Sequence, residues 1–412
     1  MEAFGVRLVV APAVTARTLL FVAAGVSLGT VSGLTPGLHA NNFALLLAAV
    51  ATDVPGPPGA IGAAVLAAGI VHTFLDVVPA LALGVPDASM AASALPAHEL
   101  VLEGRGREAI RLSAVGSGLA VALAVPLAVP VTAVMTTWYP LVVAWLPAIL
   151  AAVVLALIAI EPTVGRRLGA AVVVALAAGL GVVALDHSPD AIVGSGSVLT
   201  PLFAGLFGAP VLLYAVRGSG VPPQDDADIT VERRGVGTAA LLGGCSGAVV
   251  GYLPGVSAGV AGAFALAALP GGGNRAYVVA TSGVNTANTV FALFALAALG
   301  DPRTGVLVAF DRIGAPLNLP GLLVTVGLAA ACGVTLVLVL GDRYLAAAGR
   351  VDQRRLSAAL LCLLAGLSGV FAGIVGVLVF VVAAAIGLVP IALGVRRVHL
   401  MAVLTGPIAL GV

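Results

Sequence analysis

The chain of 412 residues has very few charged side chains: only 9% are Asp, Glu, Lys or Arg, while 60% are hydrophobic. A soluble protein carries about 25% charged residues, which keep its surface hydrated. The shortage of charge excludes a protein whose whole surface faces water. It predicts an all-α integral membrane protein, because helices satisfy their own backbone hydrogen bonds within the lipid bilayer.

Lysine is absent, so all 19 basic side chains are arginines, and the net charge is +1. Scattered arginines cannot form the basic face that nucleic-acid binding needs, which excludes nucleic acid as a partner. Cysteine is also scarce: Cys245, Cys332 and Cys362 stand alone in apolar runs, which excludes a disulfide framework and a cysteine metal site. No nucleophile–base pairing, phosphate-binding loop or dinucleotide fingerprint occurs, so we expect no enzyme activity, no cofactor and no metal centre.

Long apolar runs are what the sequence has instead. A helix needs about 20 apolar residues to cross about 30 Å of hydrocarbon. The runs that meet or approach this length are 18–35, 60–84, 109–135, 141–160, 168–185, 190–216, 237–254, 276–299, 316–340, 357–377 and 378–394. Together with a short apolar tail, 398–412, they predict about 10–12 transmembrane helices in a multi-pass protein of the cell membrane.

A Gly-x-x-x-Gly-x-x-Pro-Gly pattern occurs twice, ending at Gly37 and, 218 residues later, at Gly255. Each copy ends one apolar run and continues into a shorter one. Proline and glycine together interrupt a helix, so the pattern predicts two structural repeats with Pro-Gly-broken half-helices or re-entrant segments. A polar segment lies between the copies and predicts repeat A at 1–216, a linker at 217–235 and repeat B at 236–412. The sequence leaves open whether the repeats are parallel or inverted.

Broken helices in both halves of a membrane protein are typical of a transporter binding site. A half-helix begins with free N–H groups and the positive end of its dipole, which together bind an anion. We therefore expect a small organic anion between the two half-helix starts, although a kinked helix with local N-caps is the alternative. The candidate substrate-binding residues are Pro36, Gly37, His39, Asn41, Asn42, Thr73, Pro254, Gly255, Ser257, Asn285, Thr286 and Asn288.

His72 and Asp76 stand four residues apart, and so share one face of a predicted helix. Ionisable groups at membrane depth are costly and usually serve an ion or proton pathway. Residues 71–77 match 284–290 of the second half, where uncharged oxygen-bearing side chains replace the ionisable ones. We predict that His72, Asp76 and Thr289 couple transport to H⁺ or Na⁺, with a mutually satisfied packing pair as the alternative for His72 and Asp76.

These motifs resemble the large membrane permease of the tripartite tricarboxylate transporters. The likeness rests on the break from Gly29 to Gly37, the leucine-rich stretch from Phe43 to Val50 and the turn at 84–91. In the second half it rests on Gly251 to Gly255 and on the Asn-rich stretch from Ser282 to Thr289. The resemblance implies a secondary transporter for a carboxylate, with a small membrane subunit and an extracytoplasmic binding protein as partners. The chain is shorter than typical family members and lacks a carboxylate at 284–288; a homo-oligomer is left open.

A second resemblance supplies the alternative function. Leu253-Pro-Gly-Val-Ser-Ala-Gly259 is similar to an element of the polyprenyl-phosphate transporters. It implies a translocase for a lipid-linked phosphate, which half-helix N-termini would bind by the same physics.

Overall fold

The computed structural model describes most of the chain. The described residues are 2–3, 6–7, 11–36, 38, 40–51, 53–84, 94–187, 191, 197–216, 221–225, 229, 232–268 and 273–411. Of residues 2–3, 6–7, 41, 42, 45, 94–96, 233, 266 and 267, only the backbone is described.

The first half is helical after a short antiparallel pair, β1 (Glu2–Ala3) and β2 (Val6–Arg7). Its helices are α1 (Pro12–Leu34), α2 (Ala40–Ala51), α3 (Pro58–Leu75), α4 (Val77–Leu83), α5 (Ala94–Leu102), α6 (Gly106–Ala144), α7 (Leu146–Ala159), α8 (Val164–Ala184), α9 (Leu199–Phe203), a π-helical turn (Ala204–Gly208) and α10 (Ala209–Ala215).

The second half is also helical. Its helices are α11 (Arg233–Tyr252), α12 (Ala258–Ala267), α13 (Gly273–Leu299), α14 (Gly305–Arg312), α15 (Leu319–Ala348), α16 (Gln353–Leu393), a 3₁₀ turn (Arg397–Met401) and α17 (Ala402–Leu410).

Eight helices in the described part of the chain are long and apolar enough to span a membrane. This confirms the prediction of an all-α, multi-pass membrane protein. Shorter apolar helices at Leu146–Ala159, Leu199–Ala215 and Arg397–Leu410 stand where the sequence predicts spans at 141–160 and 190–216 and an apolar tail. The number of long helices is therefore lower than the apolar runs alone suggest.

The 41-residue helix α16 is interrupted near its middle. Gly373 has φ 57° and ψ −150°, a backbone conformation that favours glycine. A Cβ on Gly376 would lie 2.2 Å from the carbonyl oxygen of Ser368, so the chain turns back on itself at this point. α16 thus consists of two arms that meet at 372–373, whereas the apolar runs predict the junction at 377–378.

Both predicted Pro-Gly breaks interrupt their helices. α1 ends at Leu34 and α2 begins at Ala40, while α11 ends at Tyr252 and α12 begins at Ala258. The two ends are 218 residues apart, and so are the two starts. The breaks are features of the fold; that they form re-entrant segments in two repeats remains a prediction, which this correspondence supports.

The helix pairs α1–α3 and α11–α13 pack through glycines at matching positions. A Cβ on Gly33 would lie 3.0 Å from the carbonyl oxygen of His72, and a Cβ on Gly251 would lie 3.3 Å from that of Asn288. His72 faces Gly33 as Asn288 faces Gly251, so the two contacts match His72 to Asn288, which lies 216 residues later. The sequence match of 71–77 with 284–290 pairs His72 with Asn285 instead, so the packing favours a register that is one helical turn later.

Two large hydrophobic cores form in the described part of the chain, with two small clusters of four buried residues each beside them. The larger core contains residues of α1, α3, α4, α6, α11, α13 and α15, and so draws on both predicted repeats. The second core contains residues of α7, α8, α9, the π-helical turn, α16 and α17. Each of the two large cores therefore contains helices from both sides of the predicted linker at 217–235.

Arginine-containing segments gather at one end of the helices, which we call the arginine-rich end. Arg107, the segment 221–224 and Arg350 line one groove there, and Arg275 Nε lies 3.0 Å from Glu108 Oε1. The two arms of α16 start and finish at this end, which places 396–397 there as well. Glu161 Oε1 accepts a hydrogen bond of 3.2 Å from the Arg396 N–H, so the turn before α8 belongs to the same end.

The other end of the helices, which we call the opposite end, is defined by residues 14–18, 57–60 and 314–318. Residues from all three segments line a groove of about 650 Å³ that contains Arg17. α1 and α3 begin at this end, whereas α11 and α13 begin at the arginine-rich end, where Arg234 and Arg275 lie.

Candidate functional site

A cavity of about 230 Å³ lies between the two hydrophobic cores. α3, α13 and the segment after α11 form one side, and α9, the 3₁₀ turn and α17 form the other. The described lining residues are Ala40, Thr73, Leu199, Phe203, Val250, Leu253, Pro254, Gly255, Val256, Ser257, Ala258, Asn285, Asn288, Thr289, Arg303, Thr304, Val306, Met401 and Leu404. Seven predicted site residues are among them.

The starts of both half-helices reach this cavity. Ala40 is the first residue of α2 and Ala258 the first of α12, and both line the wall. Gly37 and His39 lie outside the described residues. Asn41 and Asn42 lie in the first turn of α2, where only the backbone is described. Pro36 lies in the turn before α2 and is absent from the described lining.

Ser257 caps the start of α12. Its hydroxyl accepts a hydrogen bond of 3.3 Å from the Val260 N–H, and its carbonyl accepts one of 3.0 Å from the Ala261 N–H. The first turn of a helix has four N–H groups without intrahelical partners. The cap satisfies the later ones, and among the described residues no acceptor is found for the N–H groups of Ala258 and Gly259. Ser257 is therefore a cap and a cavity residue at once.

Gly255 is required by the turn before α12. Its φ is +79°, in the left-handed region that favours glycine, and an added Cβ would lie 2.9 Å from Ile408 Cδ1 and 3.0 Å from Leu150 Cδ1. A side chain here would strain the backbone and collide with α7 and α17. The glycine thus allows the chain to turn into α12 next to the cavity.

α13 contributes three polar side chains to the cavity: Asn285, Asn288 and Thr289. The Oδ1 atom of Asn288 is buried and has no hydrogen-bond partner among the described residues. Thr73 of α3 also lines the cavity, and its hydroxyl donates to the carbonyl of Ile70 at 2.8 Å. Thr286 faces away: its hydroxyl donates to Ser117 Oγ of α6 at 2.9 Å.

His72 and Asp76 are buried on α3 beside the cavity, not in its described lining. His72 Nδ1 lies 2.9 Å from Ser32 Oγ of α1. Asp76 Oδ2 accepts a hydrogen bond of 2.7 Å from Asn285 Nδ2. Asn285 lines the cavity, so it connects the ionisable residues of α3 to the place where we expect the cargo.

Arg303 and Thr304 line the cavity but were not among the candidates from sequence. They follow the Gly300-Asp-Pro turn after α13, between two spans, where an arginine is unremarkable in sequence. Arg303 is nevertheless largely buried, and this burial lowers the pKa of its guanidinium group. The sequence signal that could have found it is a single arginine directly after the Asn-rich helix.

The arrangement can bind an anion. Donors are supplied by the N–H groups of the first turn of α12, the amide groups of α13 and the Arg303 guanidinium group. In the described part of the chain no group of three or more His, Cys, Asp or Glu side chains could hold a metal ion.

Comparisons with known proteins place the chain among membrane transporters. The sequence profile of the "Tripartite tricarboxylate transporter TctA family" matches residues 19–402. The chain is also similar to the "Uncharacterized protein MJ1079" of Methanocaldococcus jannaschii, with 26% identity over 363 residues that cover 85% of this chain and 87% of that protein. No solved structure matches the chain.

Proposed function

The chain belongs to the tripartite tricarboxylate transporter TctA family, and on that premise we propose that it carries a small carboxylate across the cell membrane, coupled to H⁺ or Na⁺. Membership makes the protein the large permease subunit of a tricarboxylate transporter, a multi-pass membrane protein and not an enzyme. The identity of the carboxylate and of the coupling ion belongs to the proposal.

The observation that carries the proposal is the convergence of both half-helix starts on one cavity, at Ala40 and Ala258. Pockets for drug-sized ligands measure about 300–1,000 Å³, so a cavity of about 230 Å³ suits a small cargo. A carboxylate bound there would accept hydrogen bonds from the free N–H groups of α12. Asn288 and Thr289 would complete its coordination.

Coupling would act through α3. A proton or Na⁺ at Asp76 changes the charge next to Asn285, whose amide reaches the cavity. His72, hydrogen-bonded to Ser32, is the second titratable group on the same helix face. The cargo and the coupling ion would then bind to neighbouring groups, so that each favours binding of the other.

Partners follow from the family. We propose that a small membrane subunit and an extracytoplasmic binding protein complete the transporter, as in the tripartite systems for which the family is named. The alternative of a lipid-linked phosphate as cargo has no support from the comparisons.

The test is ligand-dependent stabilisation of the purified protein in detergent. We expect citrate or succinate to raise the melting temperature, because a ligand that binds only the folded state stabilises it; the gain is about 2.7 kcal/mol at 100 times Kd. Polyprenyl phosphate should have no such effect. Asn288→Ala should reduce the stabilisation, whereas Thr335→Val, an exposed change on α15, should leave it intact.

Uptake into proteoliposomes then separates the coupling ions. A pH gradient or a Na⁺ gradient should drive accumulation of the carboxylate that stabilises the protein, and Asp76→Asn should abolish the dependence on the gradient. Stabilisation by polyprenyl phosphate and by no carboxylate would refute the proposed cargo.

A further inference from the structure

Arg303 is the charged side chain in the described lining of the cavity. Only 9% of this side chain is exposed, so the guanidinium group has lost most of its water. A buried guanidinium group is costly unless anions and hydrogen-bond acceptors replace that water. The groups around Arg303 therefore decide whether its charge is already satisfied.

The ion pair of Arg303 is incomplete. Nη2 lies 2.7 Å from Asp301 Oδ2, but within the described residues neither Nη2 nor Nε has a partner with the alignment of a hydrogen bond. The guanidinium carbon also lies 5.1 Å from the centre of the Tyr139 ring, a cation–π contact. Two buried donors of the guanidinium fork thus lack a hydrogen bond among the described residues, and a cargo would reach them once Asp301 moves away.

Asp301 is a weak competitor for these donors. Its side chain is 52% exposed, so it can return to water at little cost. An ion pair with an exposed partner contributes little to stability. A carboxylate in the cavity, by contrast, could use both donors of the planar fork in a bidentate pair.

The location of Arg303 adds to this argument. α13 begins at the arginine-rich end and runs to Leu299, so Arg303 lies toward the opposite end, where arginines are few. A positive charge there acts on an anion that enters the cavity from that end, because fixed charges in a low-dielectric cleft concentrate counter-ions.

We propose that Arg303 binds a carboxylate group of the cargo, and that Asp301 is an internal counter-ion which the cargo displaces. This inference rests on the proposed function, and it names the residue that makes the cavity selective for anions. It assigns opposite effects to two neighbouring side chains: Arg303 favours cargo binding and Asp301 opposes it.

Calorimetric titration of the purified protein with citrate and succinate tests the proposal. We expect Arg303→Gln to raise Kd about tenfold or more, as the loss of a charged hydrogen bond does. Arg303→Lys should recover part of the affinity, because it keeps the charge and loses the fork. Asp301→Asn should lower Kd about two- to fivefold, since it frees the guanidinium group from a weak pair.

Two controls complete the experiment. Arg166→Gln removes an exposed arginine at the arginine-rich end and should leave Kd unchanged. In the Arg303→Gln background, Asp301→Asn should give no gain, because the two side chains act on the same interaction.

The outcomes separate this proposal from the one on which it rests. Wild-type affinity in Arg303→Gln, or weaker binding in Asp301→Asn, overturns the role of Arg303 and leaves carboxylate binding itself standing. A gain from Asp301→Asn that persists without Arg303 also overturns it. Failure of the wild-type protein to bind either probe counts against the carboxylate cargo and this inference together.

Discussion

The hydrogen bond between Asp76 and Asn285 joins α3 to α13 across the two halves of the chain. Its length is 2.7 Å, and both side chains are almost fully buried. Because little water reaches the carboxylate, it depends on donors from the protein. Asn285 therefore has two tasks: it stabilises Asp76 and it forms part of the cavity wall.

Replacing Asn285 with Ala tests whether its hydrogen bond to Asp76 stabilises the folded protein. We expect Asn285→Ala to lower the free energy of unfolding by about 1–3 kcal/mol, because a buried carboxylate loses one donor. Thermal unfolding of the purified protein measures this loss. Thr335→Val is the control, since its exposed hydroxyl donates to the carbonyl of Ala331 in its own helix. An Asn285→Ala protein with the stability of the wild type would contradict the inferred support of Asp76.

Part of the lining of the candidate site is predictable from the sequence. Thr73, Asn285, Asn288 and Thr289 stand out as polar residues inside apolar runs, and the structure places all four in the cavity wall. Arg303 lies in a turn, where sequence gives no measure of burial, and it was missed. Thr286 shares the helix and the chemistry of its neighbours, but the helical rotation turns it toward α6.

Glycines determine how the helices approach each other. A Cβ on Gly29 would lie 2.4 Å from the carbonyl oxygen of Ala68, a backbone atom that cannot move aside without shifting α3. α11 meets α13 through Gly247 and Gly251, which are four residues apart like Gly29 and Gly33. A Cβ on these two glycines would lie 2.6 Å from Ala287 Cβ and 2.7 Å from Phe291 Cβ, respectively. Small residues that allow such close approach are the usual means of helix packing in membranes.

A pair of identical substitutions tests this packing. We expect Gly29→Ala to destabilise the protein by about 1–3 kcal/mol, because it overpacks the α1–α3 contact. Gly327→Ala is the matched control: an added Cβ there has no neighbour within 4 Å. It should be neutral or stabilise α15 by about 0.5–1 kcal/mol, since alanine favours a helix. Equal melting temperatures for the two variants would show that the α1–α3 contact is not tight.

The helix boundaries were predictable where the sequence contains a strong local signal. Pro-Gly pairs marked both breaks, and the structure ends α1 and α11 just before them. The turn inside α16 has no proline, so an uninterrupted apolar run hid its position at 372–373. The glycine contacts favour a register between the halves one turn later than the sequence match. α13 repeats Asn-Thr at 285–286 and 288–289, so two alignments match almost equally well.

In the molecule as a whole, the directions of α1 and α3 relative to α11 and α13 favour inverted repeats. α1 and α3 begin at the opposite end, next to the groove that contains Arg17. α11 and α13 begin at the arginine-rich end, where Arg275 pairs with Glu108. The helices that the predicted repeats would pair therefore run in opposite directions, as in transporters with inverted-topology repeats. α15 also begins at the opposite end, where Asn318 and Leu322 line the same groove as Arg17, and so it runs in the direction of α1 and α3.

The distribution of arginine then predicts the orientation in the membrane. Loops rich in Lys and Arg remain on the cytoplasmic side, which places the arginine-rich end in the cytoplasm and Arg303 toward the outside. The three exposed cysteines, Cys245, Cys332 and Cys362, can first be replaced by Ser. A single cysteine introduced at either end then shows by its labelling on which side of the membrane that end lies.

We expect a membrane-impermeant maleimide to label Arg312→Cys in intact cells and to label Arg166→Cys only after the membrane is opened. Both positions are exposed arginines near helix ends, so the two variants differ mainly in the end of the molecule at which they lie. Label at Arg166→Cys in intact cells would reverse the orientation. Arg303 would then lie toward the cytoplasm, and the cavity would receive its anion from the side opposite to an extracytoplasmic binding protein.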